Sequence, residues 1–217
     1  MIIDKKEALR YLGYKGVEID RNTGILLEEC IREIKSISKP RETYDIFSIE
    51  KDSSGILVKD TNLALTGKSI NKHLINSGKI AIIAATLGIE IDRHIALYSK
   101  TDLTKALIFD ACASTAIEWV CDELQNKIKS LGEDDGYRIT NRFSPGYGDF
   151  PMTVQKDISK VLKTYERIGL SVNENHLMIP RKSVTAIIGF QREKLQEESN
   201  VCDTCGQKDC IYRRDGE

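Results

Sequence analysis

The stretch Arg142-Phe143-Ser144-Pro145-Gly146-Tyr147-Gly148-Asp149-Phe150-Pro151 lies between the longest helical pattern of this 217-residue chain and its last strand pattern. It holds two of the four prolines in the sequence. Pro145 fixes its own φ and pushes Ser144 toward an extended conformation, while Gly146 permits a positive φ or the close approach of a ligand. Arg142 offers a planar fork of donors. The stretch predicts either a rigid turn under a hydrophobic cover or a loop shaped around a ligand.

The spacing of apolar residues on both sides of this loop predicts the fold class. Helical spacing occurs at 4–13, 20–38, 68–76, 90–98, 102–130 (ending before Gly132) and 153–168. Strand patterns occur at 44–47, 56–58, 79–86 and 184–190, with a turn at 52–55 and a charged connector at 191–200. Helices and strands mix without regular βαβ alternation, which indicates an α+β fold with a central antiparallel or mixed sheet flanked by helices. No Gly-rich loop has dinucleotide or P-loop spacing, which argues against a Rossmann methyltransferase or a nucleotide hydrolase.

Composition limits the classes of partner. Hydrophobic residues make up 41% and charged residues 30% of the chain, as in a soluble globular protein. The net charge of −1 provides no electrostatic attraction for nucleic acid. No apolar run approaches the roughly 20 residues of a membrane span, and the N-terminus lacks the features of a signal peptide. We therefore expect a cytoplasmic protein that binds neither nucleic acid nor membranes.

A stripe of polar residues recurs every four positions along the longest predicted helix. Its members are Asp110, Ser114, Glu118 and Asp122. Side chains at this spacing share one face of a helix. The stripe is either the solvated face of an amphipathic helix or a polar wall opposite the loop. In the second case a carboxylate would pair with a positively charged group of a ligand.

Three segments in this order resemble the activation (reactivation) domain of vitamin B12-dependent methionine synthase. The loop is similar to the family's S-adenosylmethionine-binding motif, Arg-x-x-x-Gly-Tyr with Pro just before the Gly. The segment Asp110-Ala111-Cys112-Ala113-Ser114-Thr115-Ala116-Ile117-Glu118-Trp119 resembles the preceding helix. The segment Pro180-Arg181-Lys182-Ser183-Val184-Thr185-Ala186-Ile187-Ile188-Gly189-Phe190 resembles the following strand. The resemblance covers most of the chain and is closest to short relatives in which the activation domain is a polypeptide of its own.

The resemblance implies a role for each residue of the loop. Arg142 would bind the carboxylate of S-adenosylmethionine, since a bidentate guanidinium–carboxylate pair provides both orientation and energy. The alternative for Arg142 is a surface salt bridge. The backbone at Ser144, Pro145 and Gly146 would contact the adenosine group, and Tyr147 would pack against it or hydrogen-bond to it.

The resemblance also implies contacts outside the loop. The family's ligand-contacting glutamate aligns with Ser114, so Glu118 would supply the carboxylate from the next helical turn. In the following strand, Ser183, Val184 and Thr185 align with a second contact segment, where the family has aromatic residues. These residues belong to a predicted S-adenosylmethionine-binding domain at 1–195.

Six cysteines fall into two groups. Cys30, Cys112 and Cys121 lie within apolar helical patterns and are predicted to be buried thiols. Cys202, Cys205 and Cys210 form C-x-x-C-x-x-x-x-C in a tail at 196–217.

The tail cysteines are predicted metal ligands, either for zinc or for an iron–sulfur cluster. Three thiolates leave one tetrahedral position open, for which His73, His94 and His176 are distant candidates. The alternative is a reduced tail that binds no metal.

The resemblance implies a function in methionine biosynthesis. The cobalamin of the methyltransferase occasionally oxidises from Co(I) to inactive Co(II), and the activation domain holds S-adenosylmethionine above the corrinoid. A flavodoxin-like or ferredoxin-like donor supplies the electron, and the cobalt then takes the methyl group. The chain would dock onto a cobalamin-carrying methionine synthase or another corrinoid protein. Two alternatives remain: an S-adenosylmethionine-sensing module, and a reductive activator of another corrinoid methyltransferase that uses a metal centre in the tail.

Overall fold

The computed structural model describes residues 1–14, 19–52 and 55–192. The described residues form seven helices and a six-stranded antiparallel sheet, so the predicted α+β fold is confirmed. Most of the connector at 191–200, part of the turn at 52–55 and the three tail cysteines lie outside the described residues. No helix among the described ranges is both long and apolar enough to cross a membrane.

The main sheet is arranged around one central strand. Its strands are β1 (Arg41–Asp52), β2 (Gly55–Val58), β3 (Ala64–Leu65), β4 (Ser77–Thr86), β5 (Arg138–Ile139) and β8 (Ser183–Gln191). Their order across the sheet is β3-β2-β1-β4-β8-β5. A separate two-stranded hairpin pairs β6 (Ser171–Val172) with β7 (Met178–Ile179). The predicted strand at 44–47 is the middle of the longer β1.

Helices cover both faces of this sheet. They are α1 (Lys5–Tyr11), α2 (Arg21–Ile37), α3 (Lys68–His73), α4 (Ile89–Thr101), α5 (Leu103–Asp134), α6 (Val154–Leu162) and α7 (Thr164–Ile168). On one face, Ala81 and Ile83 of β4 pack with Leu124 and Ile128 of α5, while α1, α2 and α4 pack around the same long helix. On the other face, Ile80 and Ile82 pack with residues of α3, α6 and α7. Strand β4 is therefore apolar on both sides, which explains its continuous hydrophobic run.

The longest helix passes through the glycine that was expected to follow its end. Helix α5 begins after Asp102, whose side chain accepts a hydrogen bond from the Lys105 amide, and it continues to Asp134. A Cβ at Gly132 would lie 3.2 Å from Phe190 and 3.3 Å from Ile139. Gly132 therefore allows close packing of α5 against β5 and β8. The turn comes later, at Gly136 with φ of +76°.

The helix predicted at 153–168 is interrupted. Lys163 adopts a left-handed conformation with φ of +50°, which divides the segment into α6 and α7. The buried Thr164 hydroxyl donates to the Leu170 carbonyl at 2.7 Å and lies close to the Ser159 hydroxyl. This local bonding of a threonine competes with helix continuation.

The three cysteines of the helices are buried, as their apolar patterns predict. Burial raises the pKa of the Cys30 thiol to about 11 and the pKa values of Cys112 and Cys121 to about 12. A thiol with so high a pKa carries almost no thiolate near neutral pH and is a poor nucleophile. These cysteines are part of the core.

Candidate functional site

The Pro-Gly loop is held to the protein at both ends. At its start, Phe143 exchanges two backbone hydrogen bonds of 2.9 Å with Ile187 of β8. Near its end, the Asp149 carboxylate accepts the backbone N–H groups of Lys68 at 2.7 Å and Ser69 at 2.8 Å, at the first turn of α3. Inside the loop, the Gly146 amide donates to the Phe150 carbonyl at 2.8 Å. The backbone is thus shaped before any ligand arrives.

The residues at the tip of the loop differ in burial. Gly146 has φ of +95°, in the region that favours glycine, and an added Cβ would lie 2.8 Å from the Met152 sulfur. Pro145 is buried and Ser144 is half-buried, whereas Gly146 is exposed. The loop backbone is therefore exposed to solvent at Gly146, whereas the neighbouring Pro145 is buried against the protein.

Arg142 turns away from solvent and reaches α5. Its Nη2 donates to Glu118 at 3.0 Å, and its Nη1 donates to Asp122 at 2.8 Å and to Gln125 at 3.3 Å. The Arg142 side chain is 17% exposed, against 35% for Glu118 and 59% for Asp122. The structure therefore brings Arg142 and Glu118 together in a salt bridge, which is the alternative role that the sequence left open for Arg142.

A second cation, which the sequence interpretation did not assign to the site, lies further toward the start of the same helix. Lys182, the residue before β8, approaches Asp110 at 3.0 Å and donates to the Ser114 hydroxyl at 2.8 Å. Its side chain is 15% exposed. The four-residue spacing of the stripe was the signal that could have predicted such a cation. Carboxylates on a partly buried helix face need positively charged partners nearby. Ser114 is thus hydrogen-bonded to a lysine.

These contacts show how the polar stripe is used. Lys182 pairs with Asp110 and hydrogen-bonds to Ser114. Arg142 pairs with Glu118 and Asp122. The stripe is thus a partly exposed face of α5 that binds two cationic side chains of the protein. The loop lies beside this face.

Tyr147 connects the loop to this wall electrostatically. Its ring packs edge-on against Phe143, with centroids 5.6 Å apart, and the side chain is half-exposed. Partial burial raises the pKa of the Tyr147 phenol, and the Glu118 carboxylate raises it further. The phenol therefore stays protonated near neutral pH and can donate a hydrogen bond.

The side chains of the second predicted segment alternate between the two faces of the sheet. Val184 packs with the core beneath α5. Ser183 and Thr185 lie on the opposite face, where the Ser183 hydroxyl donates to the Pro180 carbonyl at 2.7 Å and lies 2.8 Å from the Thr86 hydroxyl. The Thr185 hydroxyl is buried and has no hydrogen-bond partner among the described residues.

The backbone of this segment has a different environment. On the side of β8 that faces the loop, pairing with described residues ends at the bridge between Phe143 and Ile187. Because peptide groups alternate in direction along a strand, Thr185 presents its N–H and C=O toward the same side as Ile187. Thr185 therefore offers backbone hydrogen-bonding groups on this side of β8.

The histidines do not form a metal centre among the described residues. His73 lies 3.0 Å from the Asn141 carbonyl and 2.9 Å from the Thr140 hydroxyl, and it packs on Phe143. Burial lowers the pKa of His73, so the ring is neutral near pH 7. His94 contacts Glu33 and the Glu90 carbonyl. Within the described ranges no cluster of three or more His, Cys, Asp or Glu residues is suited to a metal ion.

Two surface cavities lie elsewhere, along β1. One of about 700 Å³ is lined by Ile46, Phe47 and Lys160, and one of about 660 Å³ is lined by Tyr44, Lys127 and Arg167. Neither is lined by Arg142 or by the loop. Both lie along the first half of β1, which pairs with β4 on one side and has no strand on its other side among the described residues, so they are strand-edge grooves.

Comparison with known proteins identifies the fold. A crystal structure of the MetH reactivation domain bound to AdoHcy matches with a TM-score of 0.62 and 14% sequence identity, over 88% of this chain and 74% of that one. No family model matches the sequence, and no curated protein matches it. The resemblance found in the sequence is therefore confirmed at the level of the fold.

Proposed function

We propose that this chain binds S-adenosylmethionine and acts as a reactivation module for a B12-dependent methionine synthase. The observation that carries the proposal is the Arg142–Glu118 pair, at 3.0 Å, beside a preshaped Pro-Gly loop. It occurs in the fold of a reactivation domain that has been crystallised with AdoHcy.

The donor set suits the amino-acid end of this ligand. Arg142 would donate hydrogen bonds to the ligand carboxylate, and Glu118 would accept hydrogen bonds from the ligand amino group. Tyr147 and the backbone at Ser144 and Gly146 would contact the adenosine. Ser114, already bonded to Lys182, would border the site. The open backbone edge at Thr185 would supply further hydrogen bonds.

The contribution of the chain to the reaction would be positioning. When bound, S-adenosylmethionine supplies an electrophilic methyl group, which passes to the reduced cobalt of a corrinoid on the partner and leaves S-adenosylhomocysteine. Arg142 and Glu118 would fix the amino-acid end, and the loop would hold the nucleoside, so that the methyl group faces the partner. This assignment requires no acid or base, because the reaction transfers no proton.

The partner and the electron source belong to the same proposal. The chain would dock onto a cobalamin-carrying methionine synthase or another corrinoid protein, with a flavodoxin-like or ferredoxin-like electron donor. Cys202, Cys205 and Cys210, which lie outside the described residues, would hold zinc or an iron–sulfur cluster. An iron–sulfur cluster there would provide a route for the electron within the chain itself.

Methyl transfer to free cobalamin tests the proposal. Hydroxocobalamin reduced with titanium(III) citrate would be mixed with S-adenosylmethionine labelled in its methyl group, with and without the protein. We expect the protein to increase the rate of methylcobalamin formation above the protein-free rate, and Arg142→Ala to abolish the increase. A rate equal to the protein-free control would count against reactivation.

A further inference from the structure

The charges around Arg142 are not balanced. Two carboxylates, Glu118 and Asp122, share one guanidinium, so this trio carries a net charge of −1. The Gln125 amide that completes the contacts of Arg142 is neutral. The adjoining pair of Lys182 and Asp110 is neutral overall. The site beside the loop therefore has one negative charge in excess.

The trio must rearrange for a ligand carboxylate to bind across both terminal nitrogens of Arg142. Both terminal nitrogens of Arg142 are already engaged by acceptors on α5, and the side chain is only 17% exposed. A carboxylate that binds across both terminal nitrogens must replace Asp122 or Gln125, because Nη1 already donates both of its hydrogens. If Asp122 is released, it needs a positive charge of the ligand as its new partner.

We infer that the trio selects amino-acid ligands that carry a second positive charge, and that Asp122 sets this selectivity. The inference rests on the proposed function and deepens it. S-adenosylmethionine has a carboxylate, an ammonium and a sulfonium, so its net charge of +1 matches the trio. S-adenosylhomocysteine has a neutral thioether in place of the sulfonium and leaves one carboxylate uncompensated.

Asp122 is assigned this role because of its position. It is the more exposed of the two acids, at 59%, and it bonds the same guanidinium as Glu118 from one helical turn further along. In the empty protein it competes with the ligand carboxylate for Arg142. In the complex it would provide the excess negative charge. Loss of the sulfonium charge on methyl transfer would then weaken binding and favour product release.

Calorimetric titration with three nucleosides tests the inference. S-adenosylmethionine and sinefungin, which carries an amine in place of the methylsulfonium, are both positively charged at that position, whereas S-adenosylhomocysteine is neutral there. We expect the wild type to bind the two charged ligands on the order of tenfold more tightly, the effect of one charge at about 6 Å and an effective dielectric constant near 40. In Asp122→Asn the ratio of affinity for the charged ligands to affinity for S-adenosylhomocysteine should fall to about twofold or less. The affinity for the neutral thioether should rise while that for the positively charged ligands falls.

The matched control is Glu123→Gln. Glu123 is the next residue of α5, is exposed, and points about 100° around the helix from Asp122. This substitution removes the same charge from the protein and should leave the ratio unchanged. Equal affinity of the wild type for charged and neutral ligands would overturn the inference, as would an unchanged ratio in Asp122→Asn.

If none of the three nucleosides binds the wild type, the proposed function fails, and the inference is decided separately. L-lysine and L-norleucine share the carboxylate and the amino group and differ in the charge at the end of the side chain. The inference is supported if L-lysine, but not L-norleucine, protects Arg142 from phenylglyoxal and if this protection is lost in Asp122→Asn. Equal protection by the two amino acids, or protection by neither, would overturn it.

Discussion

The Arg142 guanidinium donates a 3.0 Å hydrogen bond to the Glu118 carboxylate, which joins the loop to α5 across 24 residues of sequence. Two groups of opposite charge that would recognise the two ends of an amino acid are thereby held next to each other. Helix α5 packs along the sheet, and Phe143 ties the loop to β8, so both groups are supported by rigid elements.

Ser183 and Thr185 provide a matched pair for testing the role of β8. Ser183→Ala should lower the free energy of unfolding by about 1–2 kcal/mol, because it removes buried hydrogen bonds to Thr86 and the Pro180 carbonyl. Thr185→Val should change it by less than about 0.5 kcal/mol or raise it, since its buried hydroxyl has no partner among the described residues. Urea unfolding of both variants measures the difference.

The same two variants test how β8 contributes to the site. If the segment binds S-adenosylmethionine through its backbone, Thr185→Val should leave the affinity for S-adenosylmethionine unchanged. A large loss of affinity in that variant would mean that the threonine hydroxyl is itself a ligand contact, and would contradict binding through the backbone alone.

Asp149 should make the stability of the loop depend on pH. Backbone hydrogen bonds from Ser69 and Lys68 lower the pKa of Asp149 to about 2, below its ordinary value of 3.8. A carboxyl with a lowered folded-state pKa stabilises the fold above its unfolded-state pKa, and this contribution disappears as the pH falls toward the folded-state value. Asp149→Asn should therefore be less stable than the wild type at pH 7, with the difference closing between about pH 4 and pH 2.

Denaturant unfolding at several pH values between 2 and 7 checks this prediction. Asp157→Asn serves as the control, because Asp157 is exposed and pairs with Lys160 on the same helix. It should show a small difference from the wild type across the range. If the Asp149→Asn difference stayed constant from pH 7 to pH 2, the carboxylate of Asp149 would not be responsible for it.

The fold was predictable where one residue pattern implied one structure. The run at 79–86 is apolar at successive positions, and it forms the central strand, which is buried on both faces. The class of the sheet and most of the helices followed from such patterns. The prediction that the long helix ends before Gly132 was wrong. Gly132 lies inside the helix because Phe190 and Ile139, which are adjacent to it only in the fold, leave little space for a side chain.

The candidate site was predictable in part for the same reason. The spacing of Glu118 and Asp122 on one helix face could be read directly from the sequence. That Lys182 lies opposite Asp110 depends on how β8 follows the hairpin of β6 and β7, and no local pattern encodes this. The outward or inward direction of Ser183 and Thr185 depends on strand register, which the sequence of β8 does not determine because both faces of that strand are buried.

Truncation after residue 195 tests the division into a binding domain and a tail. Strand β8, the last described element, ends at Gln191, so the shortened chain retains every element of the two helical layers and the sheet. It should unfold at the same urea concentration as the full chain and bind S-adenosylmethionine equally well.

Metal and acid-labile sulfide measured on anaerobically purified protein test the tail itself. We expect the full chain to carry zinc, or iron with sulfide. The truncated chain and a variant with serine at Cys202, Cys205 and Cys210 should carry neither. Equal metal content in all three proteins would contradict a metal centre in the tail.

The central claim is that Arg142 and the Pro-Gly loop form a binding site for S-adenosylmethionine, and calorimetric titration of this ligand tests it most directly. The account predicts saturable binding by the wild type, weakened by about 2–3 kcal/mol in Arg142→Ala, because a charged hydrogen-bonding partner is lost. Arg93→Ala, which removes an exposed arginine paired with Glu90 on α4, should bind as the wild type does. Absence of binding by the wild type, or equal binding by Arg142→Ala, would contradict the account.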